Sequence, residues 1–546
     1  MPFPSRGCRT CKRRRVKCDE GRPVCNRCQK SNLECENDEG TEKFIFLNEN
    51  EFAVGRRKRP RGPNVNSSSQ AHQPKNTSPK PTTPGETESA SIPSVDSLIG
   101  GPPYIEPGRL ILPALSIPLD EQALNYYARC FLELPHGSPE IADSHLKCVL
   151  DNWRYNDPQS ILSLAVLAVS HATFGRARRS HAALAAAGGK YSRALLKTNL
   201  ALKDVNQAAG DEVLLSIMLL SFYENSVMDK NESSTTNPTL QAVASRSFAH
   251  HDGAMAVLNL RRQHGQGISS RRELDKLVRR QLLRSLLLRS MDTPAWLQDG
   301  SQYGEHGFAL GLDRCMVGVS NIRYRARHLF GASANPLILG CDGTLKLRSL
   351  LQDAQMLDDA LLTWVENLAT EDYYSSYTEQ GNELLGIRGR ICDNIVHIYP
   401  SMGHAGMWNR YRALRLVVND IMLRTQSLLE QSLHFGPRGI LVGATRTAIH
   451  YLADDICASV PYGLGLIVAG DSATPAPVIV DENPESLKLD LKAATASLLC
   501  WPLTMATMIS GIQDRHRLYL KNCLLEVSKL VDDGVMERIA AVDLQK

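Results

Sequence analysis

The chain has 546 residues, with 62 Lys/Arg against 58 Asp/Glu, for a formal net charge of +4. That length calls for one or two domains beyond any small module, and its apolar runs, Val213–Leu220 (broken by Ser216) and Ile161–Val169, are too short to span a bilayer, so no membrane is expected. The near-neutral balance hides an asymmetry: residues 1–35 hold ten Lys/Arg and three acids, +7, so the remaining residues sum to −3.

The first element is the stretch CRTCKRRRVKCDEGRPVCNRCQKSNLEC, from Cys8 to Cys35. Cys8, Cys11 and Cys18 recur as Cys25, Cys28 and Cys35, offset by 17, so C-x2-C-x6-C stands twice. A piece this short has too few apolar residues for a core, and domains below roughly 40 residues usually need disulfides or a metal. The opening MPFPSRGCRT lacks the apolar run of a secretory signal, so an oxidising compartment is not expected. The other eight cysteines (Cys130, Cys148, Cys315, Cys341, Cys392, Cys457, Cys500 and Cys523) are scattered singly, the usage of a reducing compartment. There, C-x2-C pairs read as thiolate metal ligands, and an all-sulfur set favours tetrahedral zinc. One zinc would strand two of the six thiolates; two zincs need eight ligand positions, which six thiolates fill only if two of them bridge. The repeat offers a symmetric answer, one bridge from each half.

These residues resemble the fungal six-cysteine binuclear zinc cluster, a DNA-binding module of transcription factors. The spacing, Pro23 in the loop between the halves, and the basic run Lys12–Arg15 after the second cysteine all match its pattern. The resemblance implies two zinc ions, with Cys8 and Cys25 bridging, Cys11 and Cys18 completing one site, and Cys28 and Cys35 the other. It also implies a short helix laid in the major groove of double-stranded DNA. The segment from Cys11 to Cys18 is long enough for about two helical turns. The resemblance places the base contacts at Arg14 and Arg15, where a guanidinium fork reaches guanine O6 and N7, on a CGG-like triplet. Lys12 belongs to the same basic run. Arg13, Lys17, Arg22 and Lys30 are expected to meet phosphates. Two Zn²⁺ and six thiolates add about −2, which leaves the module cationic, the footprint of a polyanion partner.

Beyond the module, expected to span residues 1–40, the chain carries RRKRPRGP. Arg56, Arg57, Lys58, Arg59 and Arg61 form a basic cluster that suits nuclear import or further phosphate contact. Residues 64–118 are rich in Pro, Ser, Thr and Asn, so residues 41–118 read as a basic segment and disordered linker. No heptad is sustained over residues 36–118, so no coiled-coil dimer is expected there and the oligomeric state stays open.

From residue 119 to 546 long amphipathic stretches predict a large all-α domain. Leu414, Val417, Val418, Ile421 and Met422 recur at helical spacing, as do Leu274, Leu277, Val278, Leu282 and Leu286. GDEVLLSIMLLSFYE is too continuously apolar for a surface helix and predicts a central core helix, N-capped by Asp211. Loops are expected around 229–239 and 458–486. The run of helices and the segment HHDGAMAVLNLR, His250 to Arg261, resemble the regulatory domain that accompanies the zinc cluster in fungal transcription factors. His250 and His251 are expected to pack between helices rather than bind a ligand.

YGLGLIVAG, Tyr462–Gly470, lacks the order and strand–turn–helix setting of a dinucleotide loop, and no other catalytic motif stands out, so an enzyme is not expected. The leading expectation is a nuclear, sequence-specific transcription factor, with the transcription machinery or co-regulators as further partners. By association with the family, it would control a metabolic or secondary-metabolite gene cluster. The alternative is a metal- or redox-responsive zinc scaffold that regulates partners without reading bases.

Overall fold

The computed structural model describes residues 8–14, 16–19, 21, 24–35, 117–132, 139–140, 143–153, 157–227, 244–264, 271–332, 341–379, 384–432, 440–470, 477–480 and 493–541. The chain divides into two compact units, Met1–Gly108 and Arg109–Lys546. Residues 36–116, including the basic cluster at 56–61 and the region searched for heptads, lie outside the described residues, as does the loop expected at 229–239.

Within the first unit, α1 (Arg9–Arg14) and α2 (Asn26–Lys30) are short helices attached to the two halves of the cysteine repeat. α1 starts before Cys11 rather than after it, and residues 16–19 are not helical, so the expected helix from Cys11 to Cys18 is shifted toward the N-terminus. α2 stops at Ser31, and Asn32 takes a left-handed conformation (φ 52°). The Ser31 and Leu33 amides then both donate to Cys28 O, at 3.1 and 3.0 Å. Asn tolerates that conformation better than most residues, so it can end a helix where glycine is absent.

The second unit is built mainly of helices: α3 (Leu119–Tyr127), α4 (Lys147–Asn152), α5 (Ile161–Arg178), α6 (His181–Ala201), α7 (Asp211–Val227), α8 (Ser245–His264) and α9 (Arg271–Arg289) in its first half. The second half contains α10 (Gly307–Ala332), α11 (Cys341–Glu366), α12 (Met402–Ser432), α13 (Ile440–Gly463), α14 (Ala493–Thr507), α15 (Asp514–Leu530) and α16 (Gly534–Ala541). α7 is the central helix that its sequence predicts, buried without interruption from Val213 to Ser221 and flanked by α5 and α8. α5 and α6 form a hairpin whose first helix is capped by Ser160 and whose second by Ser180. Gly175 lets α5 approach α6, since a Cβ there would meet Leu184 Cγ at 2.8 Å. α12 organises the other half, packing on α10, α11, α13 and α14 through Leu414, Val417, Val418, Ile421 and Met422. Leu274, Leu277, Val278, Leu282 and Leu286 are likewise buried on α9.

Three expectations need correction. The domain is not wholly α: β1 (Ser375–Thr378) pairs antiparallel with β2 (Ile395–Ile398), and β3 (Ile467–Val468) with β4 (Val478–Ile479). Asp393 and Asn394, both left-handed, turn the chain into β2, where β-branched Ile-Val-His-Ile suits a pleated surface. Second, residues 458–463 belong to α13 rather than to a loop. Pro461 lacks the amide that would continue the helix, and Gly465 (φ 65°) closes it one turn later, with Leu466 N bonded to Pro461 O at 2.9 Å. Third, Asp211 is the first residue of α7 rather than its cap, and its carboxylate is taken by Arg261 at 2.7 Å.

Polar groups inside the domain are paired over long sequence distances. Arg279 donates to both carboxylate oxygens of Asp313, at 2.6 and 3.0 Å, and to Leu297 O. Arg412, fully buried, lies over the ring of Tyr374 at 4.6 Å and donates to Tyr399 Oη at 2.6 Å. His251 is buried between Ser221 Oγ (3.2 Å) and Ser285 Oγ (3.0 Å), the packing role expected of it, while His250 is half-buried beside it. Among the described residues no helix is long and apolar enough to cross a membrane.

Candidate metal centre and nucleic-acid interface

The 17-residue sequence repeat is also a repeat in space. Cys8 N–H points at Cys18 Sγ and Cys25 N–H at Cys35 Sγ, each at 3.4 Å. Cys11 N–H points at Cys8 Sγ and Cys28 N–H at Cys25 Sγ, again at 3.4 Å. In each half the first cysteine therefore receives an amide from the start of the short helix, and returns its own amide to the third cysteine.

None of the six cysteines is in a disulfide, and their sulfurs converge. Cys8 Sγ lies 3.7 Å from Cys25 Sγ and 3.6 Å from Cys28 Sγ, and Cys11 Sγ lies 3.7 and 3.8 Å from the same two atoms. They sort into two groups of four, Cys8–Cys11–Cys18–Cys25 and Cys8–Cys25–Cys28–Cys35, each with its sulfurs within 4.8 Å of one another. Both groups contain Cys8 and Cys25. Cys8, Cys11, Cys25 and Cys28 are buried against one another, with Cys18 and Cys35 half-buried at the margin. An all-sulfur set of this size suits zinc, whose structural sites are tetrahedral and thiolate-rich.

Electrostatics separates the shared thiols from their neighbours. The Cys28 amide, the largest influence on Cys25, holds that thiol below its ordinary value. Burial works against Cys8, but the Cys11 amide and neighbouring thiols bring it below its ordinary value too. Burial pushes Cys11 up to about 12 and Cys28 higher still. A thiol with a depressed pKa gives up its proton more readily, and a thiol must be deprotonated to ligate a metal.

Two further contacts, invisible to cysteine spacing, brace the module. Asp19 accepts the amides of Asn26 and Arg27, and Thr10 Oγ1 donates to Glu34 O at 2.7 Å, tying α1 to the end of the second half. Sequence reading counts Asp19 only as a charge; its position directly after Cys18 and seven residues before α2 was the available signal.

Of the basic residues singled out, Arg14, Lys17 and Lys30 are exposed, as is Arg27. Lys12 and Arg13 lie on α1, whereas Arg15, Arg22 and the cluster Arg56, Arg57, Lys58, Arg59 and Arg61 lie outside the described residues. Arg14 closes α1 and Lys30 closes α2, so the two cations occupy equivalent ends of the two short helices.

Residues 6–43 match the family model of the fungal Zn(2)-Cys(6) binuclear cluster domain. The chain is similar to sterol uptake control protein 2 of Candida albicans, 54% identical over 50 residues, which is 8% of this chain and 7% of that protein. It is similar to sterol uptake control protein 2 of Saccharomyces cerevisiae, 63% identical over 30 residues, 6% of this chain and 3% of that protein. The transcriptional regulatory protein moc3 of Schizosaccharomyces pombe is also 63% identical over 30 residues, 6% of either chain. The chain thus covers less than a tenth of the length of each of these curated relatives. No solved structure is significantly similar to it. The chain carries a fungal Zn(2)-Cys(6) domain at its N-terminal end, the module shared by fungal transcriptional regulators, and its closely spaced cysteines point to zinc binding.

Proposed function

We propose that the protein is a sequence-specific DNA-binding transcription factor of a fungus, acting in the nucleus. The observation that carries this reading is the pair of four-thiol groups sharing Cys8 and Cys25, set beside a short basic helix with Arg14 exposed. Six thiols in two such groups fit two zinc ions per chain, with Cys8 and Cys25 bridging. Binding of this kind supplies the folding free energy of so small a module.

The module's own residues then divide the work. Arg14, at the end of α1, and Arg15 reach base edges in the major groove of a CGG-like triplet. Lys12, Arg13, Lys17, Arg22 and Lys30 neutralise phosphates, and counterion release makes that part of the affinity salt-dependent. Arg56–Arg61 serve import or add phosphate contacts. The helical unit is a regulatory domain of the kind that accompanies this cluster, and the genes controlled form a metabolic or secondary-metabolite cluster. Mapping the sites occupied in cells, together with transcripts of a deletion strain, tests the reading. Occupied promoters sharing a triplet-containing sequence, with altered expression of their genes, are expected. Occupancy without a shared sequence supports the scaffold alternative instead.

A further inference from the structure

The helical unit encloses a cavity of about 240 Å³ between α7, α8, α9 and α14 and the C-terminal helix α16. A single water needs roughly 10–15 Å³ on a comparable measure, so this space admits a small organic molecule. Most of its wall is apolar, with Phe131, Met218, Phe222, Leu288, Trp501 and Ile539 among the lining residues. One end is not. Arg284, on α9, lines the cavity, and among the described residues its guanidinium donates only to Gln281 Oε1, three residues away on the same helix, at 3.3 Å. Beside it stand His145, whose buried Nδ1 has no partner among the described residues, and Trp501, whose buried Nε1–H has none either.

The neighbourhood is short of negative charge. Arg279 takes both oxygens of Asp313, and Arg280 both oxygens of Glu305 at 2.6 Å. Arg284 and Arg410 line a small void with Arg280, Glu305 and Asp313, but both carboxylates are engaged by Arg279 and Arg280, and among the described residues neither forms an ion pair with Arg284 or Arg410. A guanidinium cannot shed its proton to escape burial, so a half-buried one on an apolar cavity, with no carboxylate partner among the described residues, favours an anion. Burial pulls Arg284 down to about 10, and burial together with the nearby Arg284 charge holds His145 at about 4. His251, on the same cavity, is held at about 3 by burial, so both imidazoles are neutral at pH 7 and the charge at this end is that of Arg284. Asp533 lines the wall as well, but its carboxylate is occupied by Asn225 Nδ2 and Met536 N, each at 2.9 Å.

We infer that this cavity binds a small amphipathic organic acid, its carboxylate on Arg284 and Gln281 and its apolar body among the aromatic residues. The rim of α16 and the end of α9 close on the same space, so occupancy would couple the two halves of the helical unit. This inference concerns the helical unit alone and stands or falls separately from DNA recognition.

The test uses the full-length protein, calorimetry and thermal unfolding. The probes are octanoate and 4-phenylbutanoate, with their methyl esters and inorganic phosphate as controls. Saturable binding of an acid with a rise in Tm is expected, with weaker or no response to its ester and to phosphate. Arg284→Gln should weaken the acid by about tenfold or more, the loss of a charge-assisted contact, with helix content unchanged. Ser497→Phe, which fills the cavity from α14, should abolish binding and serves where Arg284→Gln does not fold. No binding of either acid at millimolar concentration overturns the proposal, and so does equal binding of acid and ester. Phosphate binding as well as the acids would reduce the site to one for a bare anion, and affinity unchanged in both variants would place it elsewhere.

Discussion

Asp19 accepts the backbone amide of Asn26 at 3.0 Å, and its second oxygen accepts that of Arg27 at 3.3 Å. The residue after the last cysteine of the first half thereby holds the first turn of the helix in the second half. Cys25, the N-cap of that helix, uses its own sulfur on the Cys28 amide. Asp19 therefore takes the two first-turn amides, of Asn26 and Arg27, that the Cys25 sulfur leaves over. Asp19→Ala should release zinc several-fold faster to a chromophoric chelator than the wild-type chain, while Asp19→Asn, which keeps one acceptor, should lie between. Equal release rates in all three proteins would show that the contact does not brace the module.

Sharing of Cys8 and Cys25 between the two thiol groups predicts an asymmetry among cysteine substitutions. Cys8→Ser or Cys25→Ser should disturb both ions, whereas Cys11→Ser should mainly weaken one. Native mass spectrometry of the intact chain reads this directly as the population of species with no, one or two zincs. Chelation should unfold the module and leave the helical unit's circular dichroism in place.

In the helical unit, burial pushes the Asp313 carboxyl up although Arg279 stands against it, so the pair specifies an arrangement more than it adds stability. Removing one partner is a different matter, because it leaves the other buried and unpaired. Asp313→Ala should destabilise the unit by about 3–5 kcal/mol, read from urea unfolding. Gly300→Ala should act in the same direction, because a Cβ there would stand 2.2 Å from Asp313 Oδ2. A loss under about 1 kcal/mol for Asp313→Ala would mean that Arg279 finds another partner or reaches water.

Acid should weaken the same unit. Burial holds His251 and His397 at about 3, with Arg289 and Arg412 respectively adding to the effect, and holds His145 at about 4. Each of these imidazoles gains its proton first in the unfolded chain, so its contribution is present above about pH 6.5 and is lost as pH falls toward the folded value. Asp532, held at about 7 by burial, works in the opposite sense: its contribution is present at low pH and is lost as pH rises through about 7. Replacing His251 by Gln should flatten the stability profile between pH 6 and 4, by up to about 1.4 kcal/mol per pH unit. Asp532→Asn should steepen it. An unchanged slope in the His251 variant would show that this imidazole is protonated in the folded state.

Sequence alone exposes the features whose cause is local. Chelating cysteines must be close in the chain to converge without a core, so the 17-residue offset is legible and appears in space as matched amide–sulfur contacts. Periodic helices such as α12 are legible for a similar reason, since one face must meet the interior. The rest depends on partners far apart in the chain. Arg279 and Asp313 are 34 residues apart, and Arg412 meets Asp455 at 3.3 Å across 43. Nothing in either neighbourhood marks those side chains as buried. Asp211 has the chemistry of an N-cap, yet Arg261 claims its carboxylate, which tertiary contacts decide and local propensity does not. β2 is four residues long, too short for alternation to stand out beside longer helices.

The central claim is that the zinc module reads DNA sequence, and selection from a randomised duplex pool by the full-length, zinc-loaded protein tests it most directly. The account predicts enrichment of sites sharing a CGG-like triplet, lost on chelation. Arg14→Ala should cost about 1–3 kcal/mol on the selected site and relax its sequence, whereas Lys30→Ala should weaken all duplexes alike and lower the salt slope by about one unit. A pool that returns unenriched, or equal and sequence-independent losses for both substitutions, would contradict it.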